Sequence, residues 1–171
     1  MAIGGRSDSG KGGRIRLGMV GGGAGAFIGA VHRIASRLDD HYELVAGALS
    51  STPDKARRSG EALGLAADRI YDDYESMAET EAKRSGGIEA VAIVTPNHMH
   101  AGPTYAFLKA GVHVICDKPL TVSLAEGRRE KPRLTKSDRI FALTHHYTAY
   151  PLVRRVRGMA QGDVLGEIRL V

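Results

Sequence analysis

The hydrophobic and polar positions along this chain alternate between a strand-like and a helix-like pattern. Helical periodicity or helix-starting residues mark the segments at about 27–38, 52–64, 72–84, 100–110, 123–136 and 151–160. Short apolar runs of strand length separate them, at residues 15–20, 42–49, 70–71, 88–94, 112–116 and 139–143. Regular alternation of strand and helix predicts an open parallel sheet with right-handed crossovers and helices on both faces. The nearly continuous apolar run at 88–94 is typical of a strand covered on both sides.

The two ends of the chain differ from this pattern. Residues 1–14 are dominated by glycine and charge, and we expect them to form a disordered tail. Residues 167–171 form a further short apolar segment, which predicts a strand. A length of 171 residues favours one domain with a sizeable core.

The most informative segment is IRLGMVGGGAGAFIG at residues 15–29, where an apolar strand runs into a cluster of glycines. An amphipathic helix is predicted to follow, because four apolar residues fall on one helical face: Phe27, Val31, Ile34 and Leu38. A strand, a glycine turn and a helix in this order favour a dinucleotide-binding site over a flexible turn without a ligand.

Each position of the glycine turn has a predicted part in that site. Gly21 would make the tight turn, and Gly23 would let the backbone approach a pyrophosphate closely. Ala26 takes the third position, where a small residue lets the helix pack on the strand. The helix N-terminus would offer unpaired N–H groups and the positive end of its dipole to the phosphates.

The residues after the second strand bear on the choice of cofactor. An acidic side chain usually holds the ribose 2′-hydroxyl of NAD there, but this chain has Ser50 and Ser51 and no carboxylate. Their hydroxyls could bind a 2′-phosphate, and Arg57 or Arg58 could add positive charge. The pattern favours NADP over NAD, although these hydroxyl residues could equally serve only to cap the next helix.

Two further polar segments follow predicted strands, at the edge of the sheet where sites form. Thr95, Pro96, Asn97 and His100 come after the run at 88–94, where they could line a cofactor crevice or simply begin a helix. Lys118, after the run at 112–116, could donate a proton or orient a substrate hydroxyl. Taken alone, Lys118 would more simply be a surface lysine in a turn.

Composition narrows the possible functions. The net charge is +5, but the basic residues are scattered, so we do not expect a nucleic-acid partner. No run of 18 apolar residues predicts a membrane span, and the N-terminus has no secretory pattern. Cys116 is the single cysteine, which indicates a buried packing residue and a reducing cytoplasm. The adjacent His145 and His146 have no partner ligands at a metal-binding spacing, so no metal is expected.

Together these segments resemble the family of glucose–fructose oxidoreductase, inositol dehydrogenase and MocA (Gfo/Idh/MocA). The glycine turn, TPNHMH, DKPL and GEIRLV occur in the order and approximate spacing of that family, over residues 15–171. The resemblance implies a Rossmann-type doubly wound parallel sheet. It also implies hydride transfer between NADP or NAD and a hydroxyl carbon of a sugar or cyclitol.

The resemblance assigns roles to individual residues. The lysine of the family's (E/D)KP motif, here Lys118, is catalytic and positions the substrate. The expected cofactor-binding residues are Gly21, Gly23, Gly25, Ala26, Phe27, Ser50, Ser51, Thr95, Pro96, Asn97, His100, Asp117 and Lys118.

The chain also departs from the family pattern. Members have a second, α+β domain that completes the substrate site, and here it is largely absent. Residues 15–148 would be the nucleotide-binding domain, and residues 149–171 the connecting helix and first strand of the second domain. We therefore expect no turnover at a family-like rate and possible homo-oligomer formation through the terminal strand. A cofactor-binding module without turnover and an inactive truncated product remain alternatives.

The segment at residues 123–136 is a further departure, because family members carry an apolar stripe there. This chain has a run of charges, with Pro132 inside it. Proline removes a helical hydrogen bond and clashes with the preceding turn. The sequence therefore predicts a shortened, kinked or mobile helix that covers its sheet face poorly.

Overall fold

Five parallel strands form one sheet in the computed structural model, which describes residues 13–162, 164–167 and 169. The strands are β1 (Ile15–Gly21), β2 (Tyr42–Ala48), β3 (Ala90–Val94), β4 (His113–Cys116) and β5 (Phe141–Leu143). Their order across the sheet is β2-β1-β3-β4-β5, and every pairing is parallel. The predicted Rossmann-type architecture is confirmed.

The strand order reverses at β1, because the chain adds β2 on one side of β1 and later adds β3 on the other. The strand predicted at residues 70–71 is reduced to a single parallel bridge between Gly47 and Ile70, next to β2. This bridge occupies the edge that a third Rossmann strand would fill. A crevice forms beyond the carboxyl ends of the strands at such a reversal.

In the described residues, six α-helices connect or follow the strands. They are α1 (Phe27–Leu38), α2 (Pro53–Ala62), α3 (Tyr74–Lys83), α4 (Ala101–Lys109), α5 (Leu124–Lys136) and α6 (Pro151–Gln161). Local chemistry sets several of the starts. Pro53 and Pro151 occupy first-turn positions, where proline loses no hydrogen bond. The Asp73 carboxylate accepts from the Ser76 amide at 2.6 Å and caps α3.

The core lies on both faces of the sheet. All five residues of β3 are buried, as expected for a central strand covered on both sides. One face packs Ile93, Val114 and Phe107 against helices, and the other packs Leu17, Met19 and Leu49. The buried Cys116 lies in the first of these clusters, as the sequence predicted.

The predicted shortening of α5 is wrong, because the helix runs without a break through Pro132. Ser123 and Glu126 begin the helix with a reciprocal cap. The Ser123 hydroxyl accepts from the Glu126 amide, and the Glu126 carboxylate accepts from the Val122 amide. Beyond Pro132, Leu134 packs against the core, and the Arg133 guanidinium lies 4.7 Å from the centre of the Tyr105 ring. Tertiary packing therefore holds the last turn despite the proline.

Helix α1 forms as predicted, but its apolar stripe faces solvent. Phe27 and Leu38 are 83% and 76% exposed, and Val31 and Ile34 are also exposed. The helix packs against the sheet through Ile28, and the buried Gly29 lies against Gly22 of the glycine turn. A Cβ at Gly29 would overlap the Cα of Gly22, so glycine at this position lets the helix approach the turn closely.

Two predictions concern the ends of the chain. The tail at residues 1–14 and the strand at residues 167–171 fall largely or partly outside the described residues.

Candidate functional site

A cavity of about 410 Å³ opens beyond the carboxyl ends of β1, β2 and β3. Four segments line it: the glycine turn after β1, the residues after β2, those just before and at the start of α3, and the loop after β3. These segments are far apart in the sequence. The reversal of strand order brings them together at the place where open α/β sheets bind ligands.

The glycine turn forms the floor of this cavity. Gly21 has φ +79°, a conformation that favours glycine, and its position agrees with the predicted tight turn. Gly23 lines the cavity and its amide donates to the Leu49 carbonyl at 3.1 Å. A Cβ on Gly23 would lie 2.6 Å from that carbonyl oxygen. Gly23 is therefore needed for packing against the end of β2 as well as for an open cavity.

The N-terminus of α1 is uncapped and points toward the same cavity. Ala26 is the N-cap residue and lines the cavity, and no side chain bonds to the first amides of the helix. The first turn also has no acidic residue. Unpaired amides and the positive end of the helix dipole make such a terminus suited to a phosphate.

Ser50 and Ser51 line the cavity after β2, as predicted, but the predicted arginine partners do not. The Arg57 guanidinium pairs with Asp54 at 2.6 Å on the exposed side of α2. Lys55 lines the cavity instead. The sequence could have indicated Lys55 as a cavity residue, because it lies in the first turn of α2, four residues after Ser51.

The opposite wall comes from the segment before and at the start of α3, which the sequence analysis did not assign to the site. Asp72, Asp73, Tyr74 and Glu75 line the cavity there. The strand signal at residues 70–71 could have identified them, because its carboxyl end meets the same edge of the sheet. Burial raises the pKa of Tyr74 to about 12, with a hydrogen bond to Glu75 as a smaller cause.

A buried carboxylate anchors this wall. Glu81 is 1% exposed and accepts from the Arg69 guanidinium, the Tyr71 hydroxyl at 2.8 Å and the Ile88 amide at 3.1 Å. Burial raises the pKa of Tyr71 to about 12, with further contributions from Glu81. Because every Glu81 oxygen is paired, this cluster holds the residues just before Asp72 in place.

The loop after β3 contributes only part of its predicted residues to the cavity. Thr95 and Pro96 line it, and the Thr95 hydroxyl donates to the Met99 carbonyl at 3.2 Å. Asn97 is exposed and does not line the cavity. His100 is 1% exposed, and its ring nitrogens lie 2.7 Å from the Pro119 carbonyl oxygen and 3.0 Å from that of Thr95.

Asp117 and Lys118 follow β4, outside the residues that line the cavity. The Asp117 carboxylate accepts from the Thr144 hydroxyl at 2.7 Å and lies 3.9 Å from His32 Nε2. Lys118 is exposed. Burial raises the pKa of the neighbouring Cys116 thiol to about 11, which makes it a poor nucleophile at neutral pH.

The structure thus divides the predicted site residues into two groups. Seven of them line one cavity: Gly21, Gly23, Ala26, Ser50, Ser51, Thr95 and Pro96. Six others do not line it: Gly25, Phe27, Asn97, His100, Asp117 and Lys118.

A family model, described as an oxidoreductase family with an NAD-binding Rossmann fold, matches residues 15–145, which include the glycine turn, Thr95 and Lys118. The chain belongs to the Gfo/Idh/MocA family. It is thereby placed among oxidoreductases whose Rossmann domain binds a nicotinamide dinucleotide, in agreement with the cavity and its glycine turn.

Individual members of the family show how much of a longer protein this chain corresponds to. It is 39% identical over 158 residues to the uncharacterized oxidoreductase YfiI of Bacillus subtilis, covering 92% of this chain and 40% of that one. An oxidoreductase structure from Sinorhizobium meliloti superposes with a TM-score of 0.86 at 60% identity, covering 92% of this chain and 44% of that one.

An inositol dehydrogenase homolog from Azotobacter vinelandii, solved in complex with NAD⁺, has a TM-score of 0.86 at 40% identity. That alignment covers 91% of this chain and 40% of the homolog. The chain therefore spans less than half the length of these relatives.

In the described part of the chain, no helix has the length and apolar character needed to cross a membrane. Within residues 13–162, 164–167 and 169, no group of three or more His, Cys, Asp or Glu side chains is arranged to hold a metal ion.

Proposed function

We propose that this chain is the nucleotide-binding part of an oxidoreductase that transfers hydride between NADP or NAD and a hydroxyl-bearing carbon of a sugar or cyclitol. One observation carries the proposal: the glycine turn and the uncapped N-terminus of α1 face a cavity at the reversal point of the sheet. This is the position and the chemistry that a dinucleotide pyrophosphate needs.

The residues present fit such a cofactor. The amides at the start of α1 would hold the pyrophosphate, Ser50 and Ser51 would contact the adenosine ribose, and Thr95 and Pro96 would border the nicotinamide side. The nicotinamide ring, when bound, supplies or accepts the hydride. Gly25, Phe27, Asn97 and Asp117 are also proposed to contact the cofactor, and His100 is proposed to contribute through the Thr95 backbone that it contacts.

Lys118 is the proposed catalytic residue. Its exposed ammonium group follows β4, two positions after the buried end of the strand, and could orient a substrate hydroxyl and move its proton. A sugar or cyclitol is proposed as the substrate because a family relative was solved with NADH and myo-inositol. Hydride transfer further requires the reacting carbon within about 3–3.5 Å of the nicotinamide.

A cofactor-binding module without turnover is the second candidate function. It is favoured by the position of Lys118, which is exposed and does not line the cavity. Binding of a reduced cofactor without oxidation by any sugar or cyclitol would support this candidate. Turnover that is lost in Lys118→Ala but retained in Lys109→Ala, a lysine at the end of α4, would support the enzyme.

A preference for NADP(H) is the finer part of the proposal. Ser50, Ser51 and Lys55 line the cavity after β2, where hydroxyls and an ammonium group suit a 2′-phosphate. The Ser50 hydroxyl oxygen accepts from the Thr52 amide at 3.1 Å, which leaves its proton free to donate.

Two further points are proposals. The nucleotide-binding domain would end at residue 148 and the connecting segment would begin at residue 149. The single cysteine favours a cytoplasmic location.

The preference is tested by titrating the protein with NADPH and NADH and following cofactor fluorescence. We expect tighter binding of NADPH, and a shift toward NADH in Ser51→Asp, because a carboxylate binds ribose hydroxyls and repels a phosphate. Glu61→Asp, at the far end of α2, is the control. It should leave the ratio of NADPH affinity to NADH affinity unchanged. Tighter binding of NADH by the unmodified protein would contradict the preference.

The pyrophosphate site is tested by Ala26→Asp. The new carboxylate caps α1, so the helix should be stabilised by about 0.5–2 kcal/mol, while repulsion of the phosphates should weaken binding of both cofactors at least about tenfold. Ala26→Ser is the matched control, since it caps the helix without a charge. Unchanged binding by Ala26→Asp would show that no phosphate lies at this helix end.

A further inference from the structure

His100 connects the two loops that carry the proposed cofactor and catalytic residues. It directly precedes α4 and is 1% exposed. Its Nε2 lies 3.0 Å from the carbonyl oxygen of Thr95, in the loop after β3. Its Nδ1 lies 2.7 Å from the carbonyl oxygen of Pro119, next to Lys118 in the loop after β4. Both distances are those of hydrogen bonds.

The chemistry of these four atoms determines how many protons the ring carries. A carbonyl oxygen can only accept a hydrogen bond. A neutral imidazole has one N–H, and its second nitrogen presents a lone pair. In the neutral form, one nitrogen lone pair would face an oxygen lone pair at 3.0 Å or less. Two hydrogen bonds at these distances require an N–H on both nitrogens.

We infer that His100 is an imidazolium that clamps the loop after β3 to the loop after β4 by donating to both carbonyls. It is a positioning residue. It acts on Lys118 through the Pro119 backbone, and its importance for hydride transfer rests on the function proposed above. Charge-assisted hydrogen bonds are about twice as strong as neutral ones, which offsets the cost of burying the cation.

The charged and titratable groups around the clamp come from several elements. Asp117 and Lys118 lie on the loop after β4, and the Asp117 carboxylate is directed toward Thr144 and His32. His98 lies exposed on the loop after β3. From α3, Tyr74 places its hydroxyl close to Gly102, two residues after His100. In the described part of the chain, both hydrogen-bond partners of the His100 ring are carbonyl oxygens.

The decisive measurement is the protonation of the ring in the whole 171-residue chain without cofactor. Nitrogen-15 NMR of labelled histidine at pH 7 should show protons on both His100 nitrogens. A single N–H on the His100 ring would overturn the inference. This measurement needs no variant and no ligand, so failure of the chain to bind NADPH or NADH would refute the proposed function and leave the clamp standing.

A variant tests whether the clamp restrains the lysine loop. In His100→Gln one amide nitrogen can reach only one of the two carbonyls, so amide exchange in residues 118–123 should become about tenfold faster or more. His98→Gln, on the same loop but exposed, should leave that exchange unchanged. Equal exchange in His100→Gln and the unmodified protein would also overturn the inference.

Discussion

At the scale of single residues, His32 shows how a buried side chain makes stability depend on pH. It lies on α1 with its Nε2 3.9 Å from the Asp117 carboxylate, and both side chains are largely buried. Burial lowers the pKa of His32 below its usual 6.5, and the Asp117 charge only partly opposes this effect. The folded protein therefore favours the neutral imidazole.

A pH dependence of stability follows from this lowered pKa. Above about pH 6.5 His32 is neutral in both states, and its contribution to stability is fully present. As the pH falls below that value, the unfolded chain binds a proton that the folded chain resists, so the free energy of unfolding should fall. The slope from this group is at most about 1.4 kcal/mol per pH unit.

His32→Gln should remove that part of the slope when urea denaturation is measured between pH 5 and 7. His41→Gln, which changes an exposed histidine, serves as the comparison. An unchanged slope in His32→Gln would mean that the burial of this ring does not affect its protonation.

At the scale of an element, α5 shows a helix that its own sequence disfavours. Pro132 has no amide proton to donate to the Arg128 carbonyl, and its ring crowds that turn. The helix nevertheless continues to Lys136. Glu130, which is 4% exposed, pairs with Arg133 at 3.1 Å, and Arg133 also stacks on Tyr105 of α4. The pair within the helix and the contact with α4 together outweigh the cost of the proline.

Pro132→Ala should stabilise the protein by up to about 3 kcal/mol, because alanine restores the missing hydrogen bond and removes the steric conflict. Urea denaturation measures this change directly. Pro151→Ala, at the first turn of α6, is the matched control and should have little effect, since proline is well tolerated there. Loss of stability in Pro132→Ala would show that the ring makes packing contacts worth more than the hydrogen bond.

At the scale of the whole molecule, α1 and α6 each leave several apolar side chains in solvent. On α1 the stripe defined above, Phe27, Val31, Ile34 and Leu38, is exposed. On α6, Leu152, Val153 and Val156 are exposed, and none of the helix's residues is buried. Exposed apolar patches of this kind favour association. Apolar surface is therefore exposed on α1 and α6, and also near α5, where Leu124 is 70% and Ile140 67% exposed.

Self-association should accordingly weaken when the stripe is made polar. Ile34→Glu combined with Leu38→Glu should shift sedimentation velocity profiles toward the monomer, because two apolar groups leave the surface and two like charges repel. Ala35→Glu adds a charge on the same helix outside the stripe and should have a smaller effect. A protein that is monomeric at every concentration, or a double variant that associates as before, would contradict this prediction.

The order of strands and helices, the glycine turn and most of the cavity could be predicted from the sequence because they depend on local patterns. Apolar runs of strand length, glycines where φ is positive and proline or Asp at helix starts act within a few residues. The general location of the site also follows from topology, since parallel strands end at one edge. Gly21, Ser51 and Thr95, which come from three such strand ends, line one cavity.

Only the tertiary structure decided which side chains meet, because those contacts join segments that are distant in sequence. It selected Lys55 over Arg57 for the cavity, since Arg57 is paired with Asp54. It turned the apolar stripe of α1 outward, because Ile28 and not that stripe packs against the sheet. It also set His100 between two loop carbonyls, a contact that arises only when the ends of β3 and β4 lie side by side.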